Sequence, residues 1–588
     1  MVERRKYNLK SKTFKRFLDI AKPHSKTIIL LSLLAVIINI IEILKPYLVK
    51  IVIDNYLSFN ISKIGLVSIN LIGITYLIIV ILGNILDFIS RMKTSKMGEE
   101  VLYEIRNKIY KYSQYANISF HDKTPAGKLY VSITSDVEDI SSLFKDVVTT
   151  LFKDIISIIS IVCIMLYFSL KLSLITFIVF PFVIIVSIIL TNLLNNIYKK
   201  SKIIRSKIST FLAESIYGAK LIKIFNIEKQ KEETFQKMTK EFVDVRTPSA
   251  ILQGIFPGAI SLFENIAISI IIFVSMKHIL GISIEVGAIY IFVSYIKLLF
   301  EPITRIIDNI EIVQEAVVSI NKIYDILDKT EYIEDFSSGN SIKDVKGRLE
   351  FKNVWFAYSD ENWVLKNISF VIEPGETIAL VGKTGSGKTT ITNLVNRFYD
   401  IQKGEILLDG INIKNINKRE LRKRVGTVLQ DPFIFARSIR DNIKLNKKLS
   451  DVEVEKALNM ASASEFVNEL PNGINEVSKE RGESYSAGEK QLLAFARIFA
   501  HNPDIFILDE ATANIDTYTE SLIQKSIEIL SKQKSAIFIA HRLATIVNVD
   551  KILVLNNGEI IEEGSHSELL NQNGYYAKLY NSYYQSLE

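Results

Sequence analysis

The chain has 588 residues, 48% of them apolar and 23% charged, with a mean hydropathy of +0.22 and a formal net charge of +7. Those values exclude a single small domain and call for apolar blocks beside a charged soluble block. The single cysteine, Cys163, excludes an internal disulfide framework and cysteine-rich zinc sites.

Cys163 lies inside an apolar run, which predicts a small buried side chain. The basic residues flank apolar blocks and are not interleaved with recognition motifs. A membrane surface is therefore the expected partner, and nucleic acid is not. The N-terminus, MVERRKYNLKSKTFKRF, is basic and lacks a short apolar core with a small-residue cleavage site, so no removable signal is expected.

A bilayer core needs about 20 apolar helical residues. Six stretches qualify, near 27–44, 64–90, 147–168, 172–194, 256–276 and 285–303. The segments after the first, third and fifth are short and carry little positive charge. The N-terminus, RMKTSK…RNKIYK and YKKSKIIRSK are basic. The positive-inside rule puts these flanks, and both ends of the membrane half, in the cytoplasm of a cell-membrane protein. The inner connections, about 91–146 and 195–255, are long and helix-patterned. Arms of about 25 residues would each reach about 40 Å beyond the membrane. Each connection breaks once, at NISFHDKTPAGKL and at FLAESIYGAKLIKIF, which predicts short helices at the tips. Glu42, Asp87, Glu264 and Lys297 lie in or near spans, where charge is costly. Glu42 and Glu264 fit a polar substrate path or simple pairing equally. Asp87 and Lys297 read better as pairing or snorkelling.

A cluster of Ser, Gly, Asn and Asp marks a linker at 326–348, between a membrane domain at 1–325 and a soluble domain at 349–588. From 349, strand-like and helical runs alternate, as in an α/β layer fold. The apolar run ETIALVG leads into residues 382–389, Gly-Lys-Thr-Gly-Ser-Gly-Lys-Thr, and then into a helical run. This fits G-x-x-x-x-G-K-[ST], a phosphate-binding loop. Its glycines let backbone N–H groups turn toward an anion, and the helix N-terminus adds partial positive charge. Lys388 brings a full charge for the β- and γ-phosphates, and the Thr389 hydroxyl is a Mg2+ ligand. Further on, DIFILDE places Asp509 at the end of a bulky apolar run, where a carboxylate can hold Mg2+. Glu510 follows and suits orienting and deprotonating an attacking water.

With ERGESYSAGEKQLLAFARIFAHNP between these two motifs, the chain resembles an ATP-binding cassette half-transporter of the exporter type, over essentially its whole length. The resemblance implies an all-α membrane domain of six transmembrane helices with long cytoplasmic extensions, followed by an α/β P-loop nucleotide-binding domain. It implies ATP and Mg2+ as ligands. ATP would be held by Gly382, Lys383, Thr384, Gly385, Ser386, Gly387, Lys388, Thr389 and Thr390, with Tyr358 stacked on adenine. Gln430 would approach Mg2+ and the γ-phosphate beside Thr389 and Asp509. Glu510 and His541 would serve hydrolysis. Ser486, Ala487, Gly488 and Glu489 would close over ATP held by a second chain, and Asp516 would lie in the loop crossing that interface. FHDKTPAGKL and ESIYGAKLIKIF resemble the two coupling helices.

The usual signature in this family reads L-S-G-G-Q; here it is Tyr485-Ser486-Ala487-Gly488-Glu489. Ala487 adds a methyl, and Glu489 exchanges an amide for a charge. Such variants occur in active members of the family and also in heterodimers with one intact and one weakened ATP site; the partner is an identical copy or a related chain, and the reading leans slightly to a heterodimer. The expected function is ATP-driven export of a hydrophobic or amphipathic compound (a drug, lipid or peptide) by alternating access in a dimer. No leader-peptide protease domain is expected, because no extra N-terminal domain precedes the first span. An ATP-gated channel or sensor is the alternative, and Glu510 speaks against it because gating needs no water activation.

Overall fold

The computed structural model describes residues 2–54, 66–276, 285–329, 339–342, 345–359, 362–509, 516–532, 534–539 and 546–584. Two compact units emerge: Met1–Gln114 with Pro125–Thr330, and Tyr115–Thr124 with Glu331–Glu588.

The first unit is helical. It comprises α1 (Val2–Ala21), α2 (Ser25–Val52), α3 (Leu66–Tyr115), α5 (Ala126–Ile133), α6 (Ser135–Ser142), α7 (Thr149–Phe168), α8 (Leu170–Phe177), α9 (Phe180–Tyr217), α10 (Ala219–Ile224), α11 (Glu228–Met276) and α12 (Val286–Leu327). The intervening α4 (Ile118–Lys123) belongs to the second unit. Six helical runs among the described residues are long and apolar enough to cross a membrane. The sequence explains their length. In α3 the apolar half gives way to a charged half with no proline to interrupt it, so 50 residues run on for about 75 Å. The breaks expected in the inner connections are the short helices α4 and α10.

Two apolar clusters hold this unit. In the spans, Ile161, Met165, Phe256, Phe292, Tyr295 and Leu299 pack together. In the extensions, Met97, Val101, Ile105 and Ile109 recur every four residues and form one stripe on α3. That stripe meets Val137, Ile140 and Phe144, and Ala316, Ile320 and Ile323 of α12.

Charges near the spans take specific partners. Glu42 accepts from Lys45 one turn away at 2.7 Å. Asp87 accepts from Arg91 at 2.7 Å and across helices from Lys153 at 3.1 Å. Glu264 is half-buried, without an ion pair among the described residues, and Lys297 is exposed. Cys163 departs from expectation. It is exposed on α7 and not buried, because an apolar run cannot distinguish a bundle-facing position from a lipid-facing one.

The second unit is layered. An antiparallel sheet runs β2-β1-β4-β5, from β1 (Leu349–Ala357), β2 (Trp363–Ile372), β4 (Lys403–Leu408) and β5 (Ile411–Asn412). A six-stranded sheet runs β10-β9-β3-β8-β7-β6. Its strands are β3 (Thr377–Val381), β6 (Val425–Val428), β7 (Ile505–Asp509), β8 (Ser535–Ile539), β9 (Lys551–Asn556) and β10 (Glu559–Gly564). From β9 to β6 the pairing is parallel, and β10 is an antiparallel edge.

Both faces of the parallel sheet are covered, so its strands read as unbroken apolar runs. Ile378 and Leu380 of β3 and Ile505 and Ile507 of β7 join the core that includes β1, β2 and α13 (Lys388–Val395). Ala379 and Val381, with Phe506 and Leu508, face the other core. That second core receives α15 (Ile439–Lys444), α16 (Asp451–Met460), α17 (Ser464–Glu469), α18 (Ala487–His501) and α19 (Thr517–Ser531). A short α14 (Lys418–Arg424) precedes β6.

Candidate nucleotide site

The strand order gathers the predicted residues before any side chain is considered. Loop 382–387 leaves the carboxyl end of β3, and the segments carrying Gln430 and Asp509 leave β6 and β7. Asp509 pairs with Ile539 of β8, which pairs with Leu380 of β3, so Asp509 and the start of the loop lie at one level. Ligand sites of α/β sheets form at this carboxyl edge. Glu510 and His541 follow β7 and β8 in sequence and lie outside the described residues.

The loop is built from backbone. Gly385 and Gly387 adopt φ of +84° and +108°, a region that disfavours any residue with a Cβ. A Cβ at Gly387 would come within 2.5 Å of Leu365 Cδ2, and one at Gly382 within 2.3 Å of the Leu555 carbonyl oxygen. Gly387 is also the N-cap of α13, so the loop ends on the positive end of a helix. Lys388 is buried, and its ammonium donates to the carbonyls of Gly382 at 2.6 Å and Lys383 at 3.2 Å. The Ser386 hydroxyl is buried and, among the described residues, has no hydrogen-bond partner. An orphaned hydroxyl, a braced lysine and a helix N-terminus together suit an oxyanion. Lys383, Thr384 and Thr389 are exposed, whereas Thr390 is buried.

Tyr358 sits beside this loop. Its hydroxyl is 3.2 Å from Thr390 Oγ1, and its ring lies edge-on to Phe356 and Tyr399, at 4.8 and 5.0 Å between centroids. The residue is 41% exposed, which leaves ring surface for a planar ligand. Tyr399 also donates its hydroxyl to the Asp122 carboxylate of α4. Burial, then Asp122, pushes its pKa above the ordinary phenol value.

Ser486 is the N-cap of α18. Its hydroxyl accepts from the Glu489 N–H at 3.2 Å, and the Glu489 carboxylate accepts from the Ser486 N–H at 2.7 Å. This reciprocal capping box gives Glu489 a local task. Ala487 is exposed and Gly488 buried in the first turn. Asp516 caps α19, accepting from the Thr519 N–H at 2.9 Å, and that bond holds its carboxyl below the usual carboxylate range.

Gln430 is exposed, and its backbone is held by a residue that sequence reasoning missed. Gln491 of α18 is 2% exposed and donates to the carbonyls of Gln430 at 2.9 Å and Leu429 at 3.4 Å. Two turns on, Arg497 donates to the Phe433 carbonyl at 2.7 Å and to Asn442 through two bonds. Burial pushes Arg497 down to about 10, which still leaves it charged at neutral pH. Helix α18 thus grips loop 429–435 at two points.

Two family models match, described as "ABC transporter transmembrane region" over residues 28–303 and "ABC transporter" over residues 365–513. A putative ABC transporter ATP-binding protein, exp8, of Streptococcus pneumoniae is 33% identical over 96% of both chains. A putative multidrug export ATP-binding/permease protein of Staphylococcus aureus is 34% identical, over 96% of this chain and 99% of the other. A probable multidrug resistance ABC transporter ATP-binding/permease protein of Bacillus subtilis, YheH, is 36% identical over 82% of this chain and 72% of its own. The fold matches a bacterial Atm1-family ABC exporter with ATP bound, at a TM-score of 0.78 and 24% identity, over 95% of this chain and 98% of that one. With matched membrane and ATP-binding regions joined in one polypeptide, and relatives above 30% identity along nearly its full length, this chain belongs to the ABC transporter family.

Proposed function

We infer that the protein is an ATP-driven exporter of the cell membrane, its ATP-binding domain in the cytoplasm, moving a hydrophobic or amphipathic compound outward by alternating access. The observation that carries this reading is the fusion, in one chain, of six membrane-length apolar helices with a phosphate-loop domain. Similarity to multidrug export proteins supports the direction of transport.

In this reading the loop 382–390 holds the phosphates, with Lys388 and the orphaned Ser386 hydroxyl facing the most charged end. Tyr358 covers the base; stacking of that kind is worth about 1–3 kcal/mol. Thr389, Gln430 and Asp509 hold Mg2+. Among the described residues no three His, Cys, Asp or Glu side chains cluster as a metal site. When bound by Thr389, Gln430 and Asp509, Mg2+ would supply positive charge to offset that of the phosphates; Glu510 would orient and deprotonate the water, and His541 would contact the same phosphate.

Two chains work together. The first turn of α18, with Ser486, Ala487, Gly488 and Glu489, closes over the ATP of the second chain, and Asp516 lies near that seam. Helix α10 supports a second subunit. Leu221, Ile224 and the adjoining Phe225 are 59%, 64% and 66% exposed, an apolar face suited to a neighbour. The slight preference for an unequal partner rests on the altered signature alone.

The test is reconstitution of the full chain, with any co-purifying partner, in inverted vesicles. ATP should drive uptake of an amphipathic dye, and Glu510→Gln should bind ATP yet lose most turnover. ATP turnover without uptake of any hydrophobic solute, lipid or peptide overturns export. Equal turnover in Glu510→Gln and wild type overturns the role of Glu510. The gated-channel reading gains no support from the family match.

A further inference from the structure

The membrane unit contains a cavity of about 470 Å3 between α2, α3, α7 and α12. Each helix contributes residues from the end of its apolar stretch that the charge pattern assigns to the cytoplasm. The cavity therefore lies at the depth of the inner head groups. Its volume falls within the roughly 300–1,000 Å3 of small-molecule sites.

Its walls are charged in both signs, and nearly every charge is already matched. Asp87 of α3 takes Arg91 at 2.7 Å and Lys153 at 3.1 Å. Asp154 of α7, with 1% of its side chain exposed, takes Arg305 of α12 at 2.6 Å. Arg305 also pairs with Glu301. Asp146 stands at the same wall, exposed and with no ion pair among the described residues. Beside the cavity the surface turns apolar: Ile85 and Phe88, flanking Asp87 on α3, are 51% and 67% exposed.

We propose that this cavity binds the head group of a zwitterionic amphiphile, one that carries an ammonium and a phosphate or carboxylate. A simple anion entering here would draw Arg91 or Lys153 away and strand Asp87, and a simple cation would strand the bases. Asp87 keeps only 29% of its side chain exposed at this membrane depth, so leaving its carboxylate without a base is the unfavourable outcome. A zwitterion exchanges partners instead: its acid takes Arg91 and Lys153 while its ammonium takes Asp87. Every charge stays compensated, and the acyl chains lie along the apolar face of α3. The inference rests on the exporter reading for its place in transport, but not for binding.

The full chain in detergent is titrated with dihexanoyl-phosphatidylethanolamine, with native mass spectrometry as the readout. Parallel arms use dihexanoyl-phosphatidic acid, hexylammonium and the free head group O-phosphoethanolamine. The zwitterionic lipid should bind at least about tenfold more tightly than each of the other three, a difference well resolved by titration. Asp87→Asn should remove that preference. Ser90→Leu keeps every ion pair, narrows the cavity and should weaken lipid binding at least about tenfold. It carries the test if Asp87→Asn fails to fold. Phosphatidic acid binding as well as the zwitterion overturns the proposal, as does unchanged affinity in Ser90→Leu. The free head group binding as tightly as the lipid overturns the amphiphile. Cavity-dependent binding without ATP-driven export defeats the exporter reading alone, and export without such binding defeats this inference alone.

Discussion

The side-chain amide of Gln491 donates to the backbone carbonyl of Gln430 at 2.9 Å, tying α18 to the loop that leaves β6. Both ends of this bond matter to the nucleotide reading, since α18 begins at Ser486 and the loop presents Gln430. Gln491→Leu keeps the volume but removes both donated bonds. Losing hydrogen bonds of this kind costs about 0.5–1.5 kcal/mol each. We expect a lower melting temperature and a kcat for ATP that falls more than the KM rises. A purified variant with wild-type kcat would show that the loop holds its position without this bond.

Glu489 separates charge from capping. Glutamine at the third helical position still closes a capping box, whereas alanine does not. Glu489→Gln should keep wild-type stability, and Glu489→Ala and Ser486→Ala should each lose about 1 kcal/mol. Thermal melting of the three full-length variants checks this. A Glu489→Gln protein as unstable as Glu489→Ala would place the value of the residue in its charge.

Lys388 braces two carbonyls of the loop, and in the proposed site it would bring the charge for phosphate. Lys388→Ala should fold, because the strand and helix around it are packed independently. Its affinity for Mg-ATP should drop by more than about tenfold, as a lost charge-assisted contact implies. Equilibrium binding of a fluorescent ATP analogue measures it, and near wild-type affinity would remove Lys388 from the site.

Asp516, Glu453 and Glu568 are each held below the usual carboxylate range, chiefly by hydrogen bonds from backbone N–H groups at helix starts. A carboxyl with a lowered folded pKa binds its proton less tightly folded than unfolded. Its contribution is therefore present above the ordinary value, about 4, and is lost as pH falls through the lowered one. Asparagine caps about as well as aspartate but does not titrate. The wild-type melting temperature should thus fall more steeply than that of Asp516→Asn between about pH 5 and 3. Parallel melting curves in that range would expose the error.

Tyr399 offers a test of coupling, since its hydroxyl donates to Asp122 of α4. Tyr399→Phe keeps the ring packed against Tyr358 and removes the donor. ATP turnover should stay near wild type, while the amount of dye exported per ATP falls. Paired assays on the same vesicles would reveal an unchanged ratio if α4 does not need the bond.

Short-range chemistry was legible in the sequence. The phosphate loop, the run ending at Asp509 and the six apolar stretches are written in consecutive residues. Their meaning comes from strand alternation, helix length and glycine backbone freedom. The capping box was also present as Ser486-x-x-Glu489, yet Glu489 read only as a charge in place of an amide. Burial of Cys163 was misread because the interior of a bundle and its lipid face accept the same side chains.

By itself, then, the order of residues determined the family, the six membrane-length helices and the sheet edge that carries the glycine-rich loop, because each depends on periodicity or a local motif. Only tertiary structure decided that Asp87 meets Lys153, that Arg305 meets Asp154 from 151 residues away, and that Gln491 reaches Gln430. Such contacts depend on which helix faces meet and in what register. That is settled by packing among distant segments, and no window of neighbouring residues contains it.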